Sequence, residues 1–215
     1  MFATMAVAVS TIPVVEQTFS HNNVAIKIVV PDSRLLHQWY LDQLSETPFP
    51  YWGKVWASAI ALSKFIVEHN TLFANKTVLE LAAGLGLPSL TSALFAKKII
   101  CTDYVEDPLT FVKQSAKLNT FNNVDIMLFD WKKPPTDITA DIVLMSDVNY
   151  NPNDFDDLYQ LIQQFICSNT TIVLSTPQRI AGKTFIQSIQ SFCKYQEVMM
   201  VEEAMGKTAV NIFVL

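Results

Sequence analysis

Apolar and polar positions change rhythm along this chain, and the change separates a short leading part from the rest. Val14–Phe19 and Val24–Val30 are β-rich runs separated by His21-Asn22-Asn23, a hairpin signature. Pro31-Asp32-Ser33 then caps a short helix over Arg34–Leu44, which Thr47-Pro48-Phe49-Pro50 breaks. From residue 51 helices and strands alternate. Trp52–Val67 reads as a helix whose Val55, Ala59, Leu62 and Ile66 form one core stripe. Thr77–Leu81 is a buried strand, and Pro88 opens a helix through Phe95. Lys98–Thr102 is the next strand, followed by an Asp107-Pro108 cap and a helix to Leu118. Val124–Phe129 and Asp141–Met145 are two further strands. Pro152 starts a helix with Phe155, Leu158, Ile162 and Phe165 on its buried face. Thr171–Ser175 is a strand, Lys183–Phe192 a helix, and Tyr195–Val201 and Thr208–Leu215 a final strand pair.

Alternating strands and helices imply an α/β fold, a doubly wound and mostly parallel sheet covered on both faces. The last two strands are joined only by Glu202 to Lys207, too short for a parallel crossover, so they form an antiparallel C-terminal hairpin. No repeat, low-complexity tract or Gly/Ser linker divides the chain. Residues 1–50 are expected to be an N-terminal extension with a β-hairpin and short helix, and 51–215 one compact domain.

Composition narrows the classes. Half of the 215 residues are hydrophobic and 16% are charged, against about a quarter in typical domains, which excludes a disordered chain. Fifteen basic and 20 acidic residues give a formal charge of −5, a surface unsuited to nucleic acid. Cys101, Cys167 and Cys193 are far apart and odd in number. They suit a reducing compartment rather than a disulfide framework or zinc knuckle. The leading MFATMAVAVSTIPVV lacks a basic n-region, and no apolar run reaches 18 residues. The expectation is a cytoplasmic protein with no membrane partner. His21, His37 and His69 match no ligand spacing, and Asp154, Asp156 and Asp157 fit the first turn of a helix, so no metal is expected. Gly182-Lys183-Thr184 copies the end of a P-loop but has Pro177 where that loop needs glycine.

Ligands of open α/β sheets sit beyond the carboxyl ends of the strands. Two of the five glycines, Gly84 and Gly86, fall just after the first strand of the alternating region. Glycine there permits positive φ and close approach of a ligand, although a tight turn alone would also account for the pair. Asp103 ends the next strand, 19 positions after Gly84, where a nucleotide fold places the carboxylate that accepts ribose hydroxyls. A solvated loop aspartate or a helix cap is the alternative, although Asp107 already fills the capping place. As a loop carboxylate, Asp103 is expected to hold little packing. A dinucleotide fingerprint wants Gly or Ala at 89, where Ser89 stands, and no Tyr-x-x-x-Lys pair occurs. Glu80 would repel a pyrophosphate but suits the ammonium of a methionine moiety, directly or through water. These features favour S-adenosylmethionine over NAD.

Glu80-Leu-Ala-Ala-Gly-Leu-Gly86, Asp103, Trp131 and Ser146-Asp147-Val148-Asn149-Tyr150 together resemble the seven-strand class I methyltransferases. The preceding Trp52-Gly-Lys-Val-Trp56-Ala-Ser-Ala narrows the resemblance to methyltransferase-like family sixteen, which includes protein lysine methyltransferases and a branch credited with arginine methylation. The stretch 146–157 looks closest to the latter branch. The resemblance, over roughly 14–215, implies a Rossmann-like seven-stranded sheet and an S-adenosylmethionine-dependent N-methyltransferase. It implies that Trp56 lies against the methionine end of the cofactor and that Ala82, Ala83, Gly84 and Gly86 form the loop beneath it. Asp103 would hold the ribose, Asp130 and Trp131 would border the adenine, and Ser146 would line the floor near the methyl group. Asp147 and Tyr150 would face the substrate as the catalytic pair. Relatives commonly have glycine where this chain has Ala82, and alanine at positive φ costs about 1 kcal/mol or more.

Transfer from an activated sulfonium needs alignment and exclusion of water. A carboxylate such as Asp147 can attract a cationic acceptor and orient its nitrogen, with Tyr150 as a wall or hydrogen-bond donor. The expected substrate is a lysine or arginine side chain of a protein. A small-molecule acceptor, a non-catalytic binding module and, remotely, an NAD-linked oxidoreductase are the rivals. Arg179, after the fifth strand of the sheet, is a further candidate for substrate contact.

Overall fold

The structure, a computed structural model, describes residues 11–42, 48–132, 138–179, 182–204 and 206–215. The first ten residues, the expected helix end at Leu44, and Thr47 lie outside the described residues. Strands β1 (Val14–His21) and β2 (Val24–Pro31) pair antiparallel, with His21 opposite Val24 and Asn22 at φ +49° in the turn. Asparagine tolerates that left-handed backbone, which explains the tight connection. Helix α1 (Ser33–Asp42) follows. Then come α2 (Ala57–Glu68), a helical turn α3 (Asn70–Phe73), β3 (Thr77–Leu81), α4 (Leu87–Ser92), β4 (Lys98–Asp103), α5 (Glu106–Leu118), β5 (Val124–Leu128) and β6 (Ile142–Ser146). The chain closes with α6 (Phe155–Cys167), β7 (Thr171–Pro177), α7 (Lys183–Ile189), β8 (Tyr195–Glu203) and β9 (Gly206–Val214).

Seven strands form one sheet in the order β5-β4-β3-β6-β7-β9-β8. The first five in that order are parallel, and β9 runs antiparallel to both neighbours, giving the Rossmann-like sheet with its antiparallel hairpin. One apolar face packs on Leu62, Phe65 and Ile66 of α2 and Val112 of α5. The other packs on Leu158, Leu161 and Ile162 of α6 and Phe185 and Ile189 of α7. A third cluster joins Ile26 and Ile28 of β2 and Leu36 of α1 to Leu90 of α4 and Phe111 of α5. The outer edge of β2 is held by side chains: Val29 N–H donates to Ser115 Oγ (2.9 Å), Lys27 N–H to Asn119 Oδ1 (3.0 Å).

Two local expectations are corrected. Trp52–Val67 is not one helix. Tyr51–Gly53 is a 3-10 turn and Trp56 is extended (φ −84°, ψ 156°), so the helix begins at Ala57. Gly53 has poor helix propensity, and the Trp56 indole N–H donates to the Tyr51 carbonyl (2.8 Å), closing a loop instead. Of the expected core stripe, Leu62 and Ile66 are buried, whereas Val55 and Ala59 line a cavity. Asp107 is not the cap of α5. Val105 occupies that place without a side-chain hydrogen bond, and Asp107 lies in the first turn.

Candidate functional site

Strand order reverses between β3 and its neighbour β6, so the chain leaves their carboxyl ends in diverging directions and opens a crevice there. The first residue beyond each strand is left-handed and not glycine: Ala82 at φ +52° after β3, Asp147 at φ +57° after β6. With Gly84 at +53° and Gly86 at +68°, the loop after β3 takes left-handed backbone at every second residue. This winding turns the loop tightly into α4. The crevice is a cavity of about 550 Å³, within the range for small-molecule sites.

Asp103 ends β4 and fastens this loop. Its Oδ2 accepts the Gly84 N–H (2.8 Å) and its Oδ1 the Val105 N–H (3.0 Å). It is only 5% exposed, and burial pushes its carboxyl pKa up, against the pull of those backbone donors. The expectation that Asp103 holds little structure is therefore corrected. It is both a tether between two strand ends and part of the cavity wall. Each oxygen retains lone-pair capacity for a ligand hydroxyl.

Trp56, Ala82, Ala83, Gly84, Gly86, Asp103, Ser146, Asp147 and Tyr150 all line the cavity. Three expected site residues do not. Glu80 is fully buried beneath the loop, with Oε2 accepting the Ser89 N–H (2.8 Å) at the start of α4 and Oε1 unpartnered. Burial raises its pKa to about 8, so at neutral pH it is mostly the uncharged acid. It supports the loop and does not reach the cavity. Asp130 and Trp131 lie beyond the wall. Trp131 packs on the sheet face that carries α6, and the Asp130 carboxylate caps the Lys132 N–H (3.0 Å).

The structure adds residues that pattern reading passed over. Phe49, Tyr51 and Tyr104 are exposed aromatic side chains in the cavity wall, together with Tyr150. Tyr51 lies 6.2 Å from Tyr150 and 4.9 Å from Phe49 between ring centres. Lys54 Nζ sits 4.6 Å over the Trp56 ring. A signal for Phe49 and Tyr51 lies in Phe49-Pro50-Tyr51-Trp52, an aromatic run around a proline that spans the expected helix break at 47–50 and the expected helix start at Trp52. At the same mouth Arg179 pairs with Asp147 through two hydrogen bonds of 2.7 and 2.8 Å. Asp147 carries opposing influences: burial raises its pKa, while the Arg179 guanidinium lowers it. The cavity wall thus combines the Asp103 carboxylate, the small residues of the loop after β3, an Asp147 carboxylate and several aromatic rings. Among the described residues, no group of three or more His, Cys, Asp or Glu is placed to hold a metal.

A family model described as lysine methyltransferase matches residues 45–192. The chain belongs to this family. It is 29% identical over 126 residues to the histone-arginine methyltransferase METTL23 of Homo sapiens, covering 56% of this chain and 66% of that protein. It is 26% identical over 178 residues to the protein-lysine N-methyltransferase EFM2 of Saccharomyces cerevisiae, covering 70% of this chain and 42% of that one. The alignments with the METTL23 proteins span 47% to 66% of those relatives' length. Among solved structures, SMU.776 complexed with SAH aligns with TM-score 0.62 at 13% identity, over 93% of this chain and 55% of that one. N-methyltransferase NodS from Bradyrhizobium japonicum aligns with TM-score 0.55 at 13% identity, over 71% of this chain and 93% of that one. At these identities the structural likeness is one of fold.

Proposed function

We propose that this protein is an S-adenosylmethionine-dependent N-methyltransferase acting on a lysine or arginine side chain of a protein. The observation that carries the reading is Asp103, almost buried in the cavity wall and bonded to the glycine loop at the point where strand order reverses. Family membership and the names of the relatives support the same activity.

The residues fit the cofactor. Gly84, at φ +53° in the cavity wall, holds a backbone conformation that L side chains rarely adopt. A Cβ there would meet the Trp52 backbone at an ordinary contact distance of 3.6 Å, so backbone conformation rather than space calls for glycine in the loop. Asp103 would accept the ribose hydroxyls, Trp56 would wall the methionine end, and Ala82, Ala83, Gly84 and Gly86 would lie beneath it. Ser146 would form the floor beside Asp147. Tyr104 and Val105, in the wall next to Asp103, are better situated to border the base than Asp130 or Trp131. When bound, S-adenosylmethionine supplies a methyl group already activated for displacement. The chain must then align the acceptor nitrogen and exclude water. Asp147 attracts the cationic side chain and accepts its N–H groups. The acceptor nitrogen gives up one proton on reaction, to the Asp147 carboxylate or to solvent, and the hydrogen bonds to Asp147 orient the lone pair so exposed. Tyr51 and Tyr150 close the mouth against solvent.

Calorimetry with S-adenosylmethionine and with NAD tests the cofactor; tight binding of NAD alone would overturn the reading. Asp147→Asn tests the acceptor side. Methyl incorporation into lysate proteins should fall by about tenfold to a thousandfold while cofactor affinity moves little. Full incorporation by the variant would remove Asp147 from the acceptor site. Label found only in small molecules would overturn the protein acceptor. The acidic balance supports a protein rather than a nucleic-acid partner, and the cysteine usage supports a cytoplasmic setting. Among the described residues no helix is long and apolar enough to cross a membrane.

A further inference from the structure

The carboxylate assigned to attract the acceptor already holds a cation. Arg179, two residues past β7, meets Asp147 fork to fork: Nη1 donates to Oδ1 at 2.7 Å and Nη2 to Oδ2 at 2.8 Å. Both carboxylate oxygens are engaged, and both residues line the cavity. The two partners differ in freedom. Asp147 is fixed by its left-handed backbone and by its N–H, which donates to the Ser175 carbonyl (2.9 Å), and its side chain is 13% exposed. Arg179 is a long side chain, 38% exposed, and its head can move into solvent with modest loss.

We propose that Arg179 is a resident competitor for the acceptor subsite, standing where the acceptor's cation must stand, so that an acceptor engages Asp147 only by displacing it. The proposal rests on the role given to Asp147 above. Two consequences follow from the chemistry of the pair. Between turnovers Arg179 gives a largely buried carboxylate a charge partner, which opposes the burial that pushes its pKa up. It also sets which acceptors succeed. A guanidinium replaces the fork bond for bond, whereas a lysine ammonium is a compact point charge that cannot match both parallel hydrogen bonds. The rings of Tyr51 and Tyr150, 6.2 Å apart in the wall of the same cavity, add aromatic surface that suits a planar cation. Arg179 therefore acts as a specificity-determining residue that favours arginine-like acceptors.

The test uses the full chain, with ethylguanidinium and butylammonium as probes at matched ionic strength, read by calorimetry and by thermal shift. Arg179→Ala should bind ethylguanidinium saturably, at least about tenfold more tightly than the parent protein and more tightly than it binds butylammonium. The double variant Asp147→Asn with Arg179→Ala should lose that binding. Equal responses of parent and Arg179→Ala, no preference for guanidinium, or binding that survives in the double variant would each overturn the proposal. If Arg179→Ala does not melt cooperatively, Arg179→Lys keeps the charge without the fork and should bind ethylguanidinium more tightly than the parent. An unchanged affinity there overturns it equally. A purely structural role for the pair would lower the melting temperature without opening a guanidinium site. S-adenosylmethionine binding by the parent protein, measured separately, tests the underlying reading, so the two failures are distinguishable.

Discussion

Ala82 and Glu80, two residues apart at the end of β3, show how far a single position can depart from what its residue type suggests. Ala82 stands at φ +52°, where an L side chain costs about 1–2 kcal/mol, and it lines the cavity. Ala82→Gly should remove that strain, less the extra entropy glycine gives the unfolded chain. A net gain of about 1 kcal/mol in urea unfolding is expected, with tighter cofactor binding. A loss of stability would show that the backbone is unstrained there. Glu80 has the opposite problem: its side chain is buried without a cation. Its pKa rises from 4.5 in the unfolded reference to about 8 in the fold, chiefly through desolvation. Below 4.5 the acid is protonated in both states and its contribution to stability is fully present. As pH rises toward 8 the unfolded chain ionises first, so that contribution is lost progressively, by up to about 1.4 kcal/mol per pH unit. Glu80→Gln cannot ionise and keeps an acceptor for the Ser89 N–H. Its stability relative to the parent should therefore improve as pH rises across this window, measured by urea unfolding. A difference that stays flat with pH would mean that Glu80 is already ionised in the fold.

Among elements, the loop between β3 and α4 depends on β4 as much as on its own residues. Asp103 accepts N–H groups from Gly84 on one side and Val105 on the other, so one carboxylate fixes the glycine loop and the approach to α5. Asp103→Ala should leave two partly buried donors without partners. The expected cost is about 1–3 kcal/mol of folding stability in addition to a comparable loss of cofactor affinity. Unchanged unfolding with weakened binding would restore the simpler picture of a ligand carboxylate alone. Sequence spacing brought Gly84 and Asp103 into one hypothesis because both follow strands of a nucleotide-type sheet. It could not reveal that they touch, because that contact depends on the parallel pairing of β3 with β4. The same limit applies to α2. Periodicity identifies Leu62 and Ile66 as core, but Val55, which precedes the helix, and Ala59, in its first turn, belong to the cavity wall.

In the whole molecule, the N-terminal hairpin covers apolar side chains of α4 and α5. Removing residues 1–31 should uncover Leu90 and Phe111 and leave Ser115 and Asn119 without their β2 partners. A cost of about 1.5–3 kcal/mol for each large side chain uncovered predicts a much lower melting temperature and binding of a hydrophobic dye. A truncated chain that melts like the parent would mean that the remaining domain is sufficient by itself. The sequence by itself determined most of the strands and helices, though not where α2 begins, and the parallel core of the sheet with its antiparallel hairpin. It also placed Gly84, Gly86 and Asp103 just beyond strands, with Asp147 and Tyr150 added by the family resemblance. Local rules carry that information: a hydrophobic period states which face is buried, and a short connection states how two strands must run. Only the tertiary structure decided that Glu80 is a buried acid whose pKa is pushed up, that Phe49, Tyr51 and Tyr104 join the cavity wall, and that Arg179 holds Asp147. Each of these depends on what lies across the fold from a residue, through burial and pairing between segments far apart in the chain.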